Sequence, residues 1–188
     1  MAAPGSCVQV HPPKMIETPR LNLRHPLLSD AADIFEYARD PEVTRYMDWP
    51  THTSPDGAVE FLTSALERLA SGTELTWIVT VKPDDRAIGA ISCRMHGHAV
   101  DFGYALNRRY WGRGFATEAA HAIVDWVSRL EHVYRVWATC DVENVASARV
   151  LEKTGLTREG LLRSWSIKPN IGPQPRDAYV YAKVRSAA

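Results

Sequence analysis

The sequence has little of what marks the more easily read protein classes. It carries no net charge, with 22 lysines and arginines against 22 aspartates and glutamates. Global charge therefore offers no pull toward nucleic acid or a membrane surface, and neither partner is expected. Three cysteines, Cys7, Cys93 and Cys140, are odd in number and far apart. They form no disulfide framework and have no metal-ligand spacing, so no metal is expected and a reducing, cytoplasmic setting is the natural one. No apolar run reaches the roughly 20 residues that a membrane helix needs. Residues 1–14 lack the apolar core of a signal peptide and read as a flexible N-terminal tail. Residues 15–188 read as a single domain, because 188 residues suffice for one sizeable core and are too few for two. There is no internal repeat and no low-complexity stretch.

What is there is a succession of short elements. Leu21–Arg24 alternates as a strand after Pro19, and Ala31–Arg39 reads as a helix bounded by Ser29-Asp30 and Asp40-Pro41. Glu42–Pro50 is a short helical turn and loop carrying Tyr46, Met47 and Trp49. Pro55 opens a second helix, with Val59, Phe61, Leu62, Ala65, Leu66 and Leu69 on its apolar face and Gly72 at its end. Strands follow over Leu75–Lys82, Ala87–Met95 and Asp101–Leu106. A helix begins at Phe115, with Ala119, Ile123, Trp126, Val127 and Leu130 on the same side. Then come a strand over Tyr134–Cys140, a helix over Asn144–Lys153 stopped by Thr154-Gly155, and strands over Leu156–Ser166 and Ala178–Val184. The proline-rich, polar segment 168–177 reads as a loop. This order argues for a mixed sheet flanked by helices. Ligands of such sheets bind at the carboxyl ends of strands, here at the end of Asp101–Leu106 beside Tyr134–Cys140.

The stretch joining those two strands is the most informative. Its turn, Asn107 to Gly114, holds two glycines and three arginines immediately before a helix. Free N–H groups and the helix dipole favour an anion there, and glycine lets the backbone approach it closely. Two familiar phosphate loops are excluded. A Walker A loop needs Gly-Lys-Ser/Thr, whereas Gly114 leads into Phe115-Ala116-Thr117. A dinucleotide fingerprint needs a third glycine, which Gly112–Thr117 lacks, and it follows a first strand rather than a fourth.

Arg109-Tyr110-Trp111-Gly112-Arg113-Gly114 fits the R/Q-x-x-G-x-G/A signature of the GNAT superfamily of N-acetyltransferases. The continuation Phe115-Ala116-Thr117-Glu118-Ala119 resembles the RimJ/RimL-like branch. Asn144-x-x-Ser147, followed by Val150-Leu151-Glu152-Lys153-x-Gly155-Leu156, is similar to that branch's second signature, and Thr18-Pro19-Arg20-Leu21-x-Leu23-Arg24 to its first strand. The resemblance spans roughly residues 16–184. It implies an α/β fold with a mixed, mostly antiparallel twisted sheet of about seven strands and about four flanking helices, splayed between the fourth and fifth strands. It implies acetyl-coenzyme A (acetyl-CoA) as donor, its pyrophosphate held around Arg109, Tyr110, Trp111, Gly112, Arg113 and Gly114 and the helix start Phe115, Ala116 and Thr117. The side chains of Arg108 and Arg113 either reach phosphate or face solvent. The acceptor would be a primary amine, either a protein N-terminus or a small amine, amino-acid derivative or antibiotic, acetylated directly in a ternary complex. The family is often dimeric. A non-catalytic acyl-CoA-binding sensor is the alternative of a different class.

Acetyl transfer to an amine needs a neutral amine, a stabilised oxyanion and a stabilised leaving thiolate. The resemblance places the oxyanion donor among the backbone N–H groups of Tyr104, Ala105 and Leu106, beside a bulge. Asp101 is the best-placed carboxylate for the base, acting through water, with His25, His52 or His98 as helper; a solvent-facing strand carboxylate is the plain alternative. The tyrosine that many members use as acid is replaced here by Leu151. The branch uses Ser147 instead, one turn earlier; a serine bonding back to a helix carbonyl is the plain alternative. Asn144 suits an N-cap, and the resemblance adds a contact with the pantetheine arm. Glu118 reads as structural, and a covalent route through Cys140 is unneeded. The acceptor pocket is expected from Tyr46, Met47, Trp49 and the segment between Arg163 and Asp177, Trp165 included, with packing as the plain role for the loop aromatics.

Overall fold

The computed structural model describes residues 12–185. Its strands are β1 (Met15–Glu17), β2 (Leu21–Arg24), β3 (Leu75–Val81), β4 (Ala87–His96), β5 (Ala99–Leu106), β6 (Arg135–Asp141), β7 (Thr157–Ile167) and β8 (Pro175–Val184). Its helices are α1 (Ala31–Ala38), α2 (Pro41–Thr44), α3 (Asp56–Ser71), α4 (Phe115–Ser128) and α5 (Val145–Lys153), with single 3-10 turns at Leu28–Asp30 and Arg108–Tyr110. The strands form one sheet in the order β1-β2-β3-β4-β5-β6-β8-β7. All neighbours are antiparallel except β5 and β6.

That one parallel pair sets the site. It holds only from Ala99↔Arg135 to Asp101↔Trp137. Beyond Asp101 the strands part. On one side of the split, β5 stays in unbroken register with β4 from His96↔Ala99 to Gly89↔Leu106. On the other, β6 stays with β8 from Arg135↔Val184 to Asp141↔Ala178. Two long antiparallel ladders pull apart a short parallel one, which is the weaker pairing per residue. The expected splay is therefore present, but the bulge expected beside it is not, because the β4–β5 register never shifts.

Strand alternation sends alternate residues to two helical layers. Trp77, Ile91 and Tyr104 lie side by side on one face. There Phe115, Ala119, Ile123 and Val127 of α4 and Leu151 of α5 complete a buried cluster. Ile78, Ala90 and Ala105 lie on the opposite face, under Ile34 and Tyr37 of α1 and Leu62 of α3. Leu62 is fully buried, so truncating it to alanine would cost about 2–5 kcal/mol.

Several element boundaries differ from expectation. Met15–Glu17 adds an eighth strand at the sheet edge, pairing with Asn22–Arg24. Pro41–Thr44 forms its own short helix, capped by the Asp40 carboxylate on Glu42 N at 3.0 Å. The end of the proline-rich segment is strand, since Pro175 and Arg176 pair with Ile167 and Ser166. Proline is tolerated there as the first residue of a strand. Of the stretch read as a tail, residues 1–11 lie outside the described residues. Pro13 O accepts from Trp77 Nε1 at 2.9 Å and Lys14 O from His25 N at 3.1 Å, so these two residues are bonded to the sheet.

Candidate active site

The loop after β5 begins with Asn107. Its N–H reaches Ile88 O at 2.8 Å, and its Oδ1 accepts from Arg109 N at 3.0 Å. Tyr110 N then donates to Asn107 O at 2.9 Å, and Trp111 N to Arg108 O at 3.1 Å. The amides of Arg109, Tyr110 and Trp111 are thus taken up inside a 3-10 turn. This corrects the expectation that they hold an anion. Among the described residues, no hydrogen bond engages the amides of Gly112, Arg113, Gly114, Phe115, Ala116 or Thr117. Gly112 and Gly114 have φ of 72° and 78°, where a side chain is disfavoured. A Cβ on Gly112 would meet no heavy atom within 4 Å, so the space at Gly112 itself is open. Six N–H groups without a partner among the described residues, at the positive end of a 14-residue helix, have the geometry of an anion cradle.

The arginines divide. Arg108 pairs with Asp40 at 2.9 Å and Arg109 with Glu36 at 2.8 Å, so both are held against α1 and the turn after it. Arg113 stacks over the rings of Tyr110 and Phe115, 5.6 and 4.9 Å from their centroids. Trp111 Nε1 bonds Leu106 O at 2.8 Å, which pins the loop to the end of β5. Glu118 accepts from Thr18 Oγ1 at 2.7 Å and from the Arg20 amide at 2.9 Å, tying the start of β2 to α4. Burial pushes the Glu118 carboxyl up, but these bonds and the Arg20 guanidinium outweigh it and hold it below its usual range. This is the structural role read from the sequence.

At the split, backbone alternation decides which amides are free. The Asn107–Ile88 bond marks a hydrogen-bonded antiparallel pair. Ala105 and Gly103 therefore also face β4, while Tyr104 and Leu106 face the other way. Past Asp101 there is no β6 backbone to meet them. The oxyanion candidates narrow to the Tyr104 and Leu106 amides; Ala105 is committed to the β4 ladder. The Tyr104 hydroxyl lies 3.1 Å from Ser147 Oγ. Ser147 N donates to Asn144 Oδ1 at 3.1 Å, so Asn144 is the N-cap of α5 and fixes the turn that carries Ser147. Burial pushes the Tyr104 hydroxyl up to about 12 against the opposing Ser147 bond, so it stays protonated. Burial, then the Asp141 charge, pushes the Cys140 thiol up to about 11, which leaves little thiolate for a covalent route.

Asp101 sits at the base of the split with its side chain only 8% exposed. It is not a solvent-facing carboxylate. Arg94, directly opposite on β4, donates Nε to Oδ2 at 3.0 Å and Nη2 to the same oxygen. His96, diagonally across the same ladder, donates Nε2 to Oδ1 at 2.6 Å. The His96 side chain is 54% exposed, so the buried carboxylate is linked to solvent through an imidazole. Among the described residues, the histidine bonded to Asp101 is His96, and not His25, His52 or His98. His25 Nε2 and His52 Nδ1 are buried without a partner among the described residues.

A cavity of about 270 Å³ passes through the split. Cys140, Asn144, Ser147 and Leu151 line it toward α5; Asp101, Gly103, Arg94 and Trp137 line it toward the opposite face. There Tyr46, Met47 and Asp48 form one wall and Trp165, Ser166 and Lys168 another. Trp49 is absent from this lining. It packs against the α1–α3 cluster, with its ring 5.1 Å from that of His52, which makes it a plug and corrects its assignment to the pocket. Asp141 closes the floor, bonded to Arg176 at 2.6 and 3.0 Å. Its carboxyl is pushed up by burial but held below its usual range by those bonds. Sequence reasoning missed the Tyr104 hydroxyl, Arg94, His96, Asp48, Trp137 and Asp141. Each becomes visible only when separate segments of the chain are brought together.

The Acetyltransferase (GNAT) domain family matches residues 20–157. The chain is 33% identical over 152 residues to the uncharacterized N-acetyltransferase p20 of Bacillus licheniformis, covering 79% of this chain and 85% of that protein. A crystal structure of a GNAT-family acetyltransferase from Bacillus anthracis superposes with a TM-score of 0.79 at 25% identity, covering 90% of this chain and 98% of that one. RimL, the ribosomal L7/L12 alpha-N-protein acetyltransferase, in complex with coenzyme A, has the same fold, with a TM-score of 0.80 at 19% identity over 90% of this chain and 97% of that one. A family match across most of the chain agrees with the split sheet and the amide cradle. This chain belongs to the GNAT family of acetyltransferases and is an acetyl-CoA-dependent N-acetyltransferase.

Proposed function

We propose that the enzyme acetylates a primary amine directly, within a ternary complex, and that the amine is a protein N-terminus or a small amine. One observation carries this reading: the cavity passes through the sheet, so two substrates can reach the Tyr104 amide from opposite faces. No covalent relay is then required. The unpartnered amides from Gly112 to Thr117 and the open space above Gly112 suit a pyrophosphate. The residues present thus fit acetyl-CoA, which when bound supplies the thioester whose acyl group is transferred.

The chain's own groups have distinct tasks. An acceptor amine enters as ammonium and must lose a proton. Asp101, oriented by Arg94 and His96, receives it through water. The Tyr104 N–H donates to the acyl oxygen as negative charge develops there. Ser147 Oγ–H donates to the departing thiolate sulfur, and the protonated Tyr104 hydroxyl backs it through their shared bond. A protein N-terminus is the acceptor printed in the name of the RimL neighbour, and it supports that half of the reading. Initial-rate kinetics with a panel of N-terminal peptides and small amines test the proposal. Intersecting double-reciprocal lines with at least one amine are expected; parallel lines would refute direct transfer.

A further inference from the structure

Two loops wall the acceptor side of the cavity, and they come from distant parts of the chain. The first, between α2 and α3, carries Tyr46, Met47 and Asp48; the second, after β7, carries Lys168. One side chain joins them. Asn170 Oδ1 accepts from Thr51 N at 2.8 Å and from Thr51 Oγ1 at 3.0 Å. Asn170 Nδ2 donates to Thr44 O at 2.7 Å and to Trp49 O at 2.9 Å. All four hydrogen-bonding positions of the amide are filled. The orientation is dictated, because two donors face the oxygen and two carbonyls face the nitrogen. The bonds grip the first loop at both ends, at Thr44 and at Trp49 and Thr51, with Tyr46, Met47 and Asp48 held between. The second loop presents Asn170 rigidly, since Ile171 N and Gly172 N fold back onto Lys168 O at 2.9 and 3.1 Å.

We propose that Asn170 is a positioning residue for the acceptor amine. It clasps the 44–51 loop to the loop after β7 and so sets the width of the acceptor mouth, while touching nothing on the donor side. This rests on the acceptor being bound between these loops, as in the function proposed above. Aspartate is the sharpest substitution. It keeps the size and the oxygen facing Thr51, but sets a carboxylate oxygen against the carbonyls of Thr44 and Trp49. Alanine removes all four bonds.

In full-length Asn170→Asp and Asn170→Ala, the acceptor KM should rise about tenfold or more, with kcat within about threefold of wild type. Acetyl-CoA affinity by calorimetry should stay within about twofold. Hydrogen exchange across 44–51 should quicken while that of β5 does not change. Unchanged exchange in 44–51 overturns the clasp. Faster exchange with an unchanged acceptor KM overturns its positioning role. A parallel loss of acetyl-CoA affinity and melting temperature reduces Asn170 to general stability and also overturns it. Failure of the proposed function looks different: wild type would acetylate no amine, and the exchange measurement would still decide the clasp.

Discussion

The amide cradle before α4 and the cavity at the split, proposed above for donor and acceptor, are built on different principles. The donor end is backbone. Its anion cradle is a run of amides, from Gly112 to Thr117, opened by two left-handed glycines at a helix start. The acceptor end is side chain. Asp101 is held by Arg94 and His96, and aromatic walls come from Tyr46, Trp137 and Trp165 on three separate segments. Backbone amides present one geometry to any ligand carrying a diphosphate, so a donor shared by many enzymes can be bound by a short local motif. Side chains on loops can be exchanged one at a time, and an acceptor site made from them can change while the donor site stays.

The sharpest way to break this contrast is to alter a residue with no side chain. Gly112→Val places a branched Cβ at φ 72°, a conformation that disfavours side chains, within the run of free amides. Calorimetry should then show acetyl-CoA affinity reduced about 100-fold or more, equivalent to roughly 3 kcal/mol. Near-normal affinity would put the anion elsewhere. On the acceptor side, Asp101→Asn should lower kcat/KM for the amine roughly 50-fold and leave acetyl-CoA affinity unchanged. A loss confined to donor binding would erase the division between the two ends. Ser147→Ala should lower kcat about 30-fold with little change in donor affinity. Adding Tyr104→Phe should then cost little more, because the two hydroxyls share one bond. Unchanged turnover in Ser147→Ala would return that serine to a purely helical role.

The pH dependence sharpens the same assignment. With its hydroxyl pushed up to about 12 by burial, Tyr104 keeps its proton while an acceptor ammonium loses its own. The profile of kcat/KM should therefore rise with pH and show no descending limb below about pH 10. The sign for stability follows from the folded value lying above the ordinary 10.0. The contribution of Tyr104 is complete below pH 10 and is lost as pH rises toward 12, which melting curves across that window would reveal. The smallest effect is expected from Trp49→Phe. Both KM values should stay within about twofold, while the melting temperature falls by a few degrees through lost packing in the α1–α3 cluster. A large rise in acceptor KM would instead return Trp49 to the pocket.

Legibility follows the same divide. The loop from Asn107 to Thr117, the N-cap Asn144 and the stripe through Phe115, Ala119, Ile123 and Val127 act within a few residues of themselves, so residue types and spacing were enough to find them. Even there, spacing could not tell which amides the turn itself consumes. Arg109, Tyr110 and Trp111 belong to the motif, yet the Asn107 side chain and the 3-10 turn occupy their N–H groups. Asp101 was found by residue type on a strand, but its partners were not. Arg94 and His96 reach it only through β4–β5 register, and Tyr104 meets Ser147 across 43 residues of chain.

By itself the sequence determined the order of most elements, the two helical stripes and the glycine-opened helix start, because these depend on local backbone geometry and periodicity. Only the tertiary structure decided where β5 and β6 part, which amides face the gap, and that Trp49 fills the core while Trp137 lines the cavity. The reason is physical: a cavity is the space left between ladders and loops that compete for the same strands, and the balance between them is set by pairings far apart in the chain.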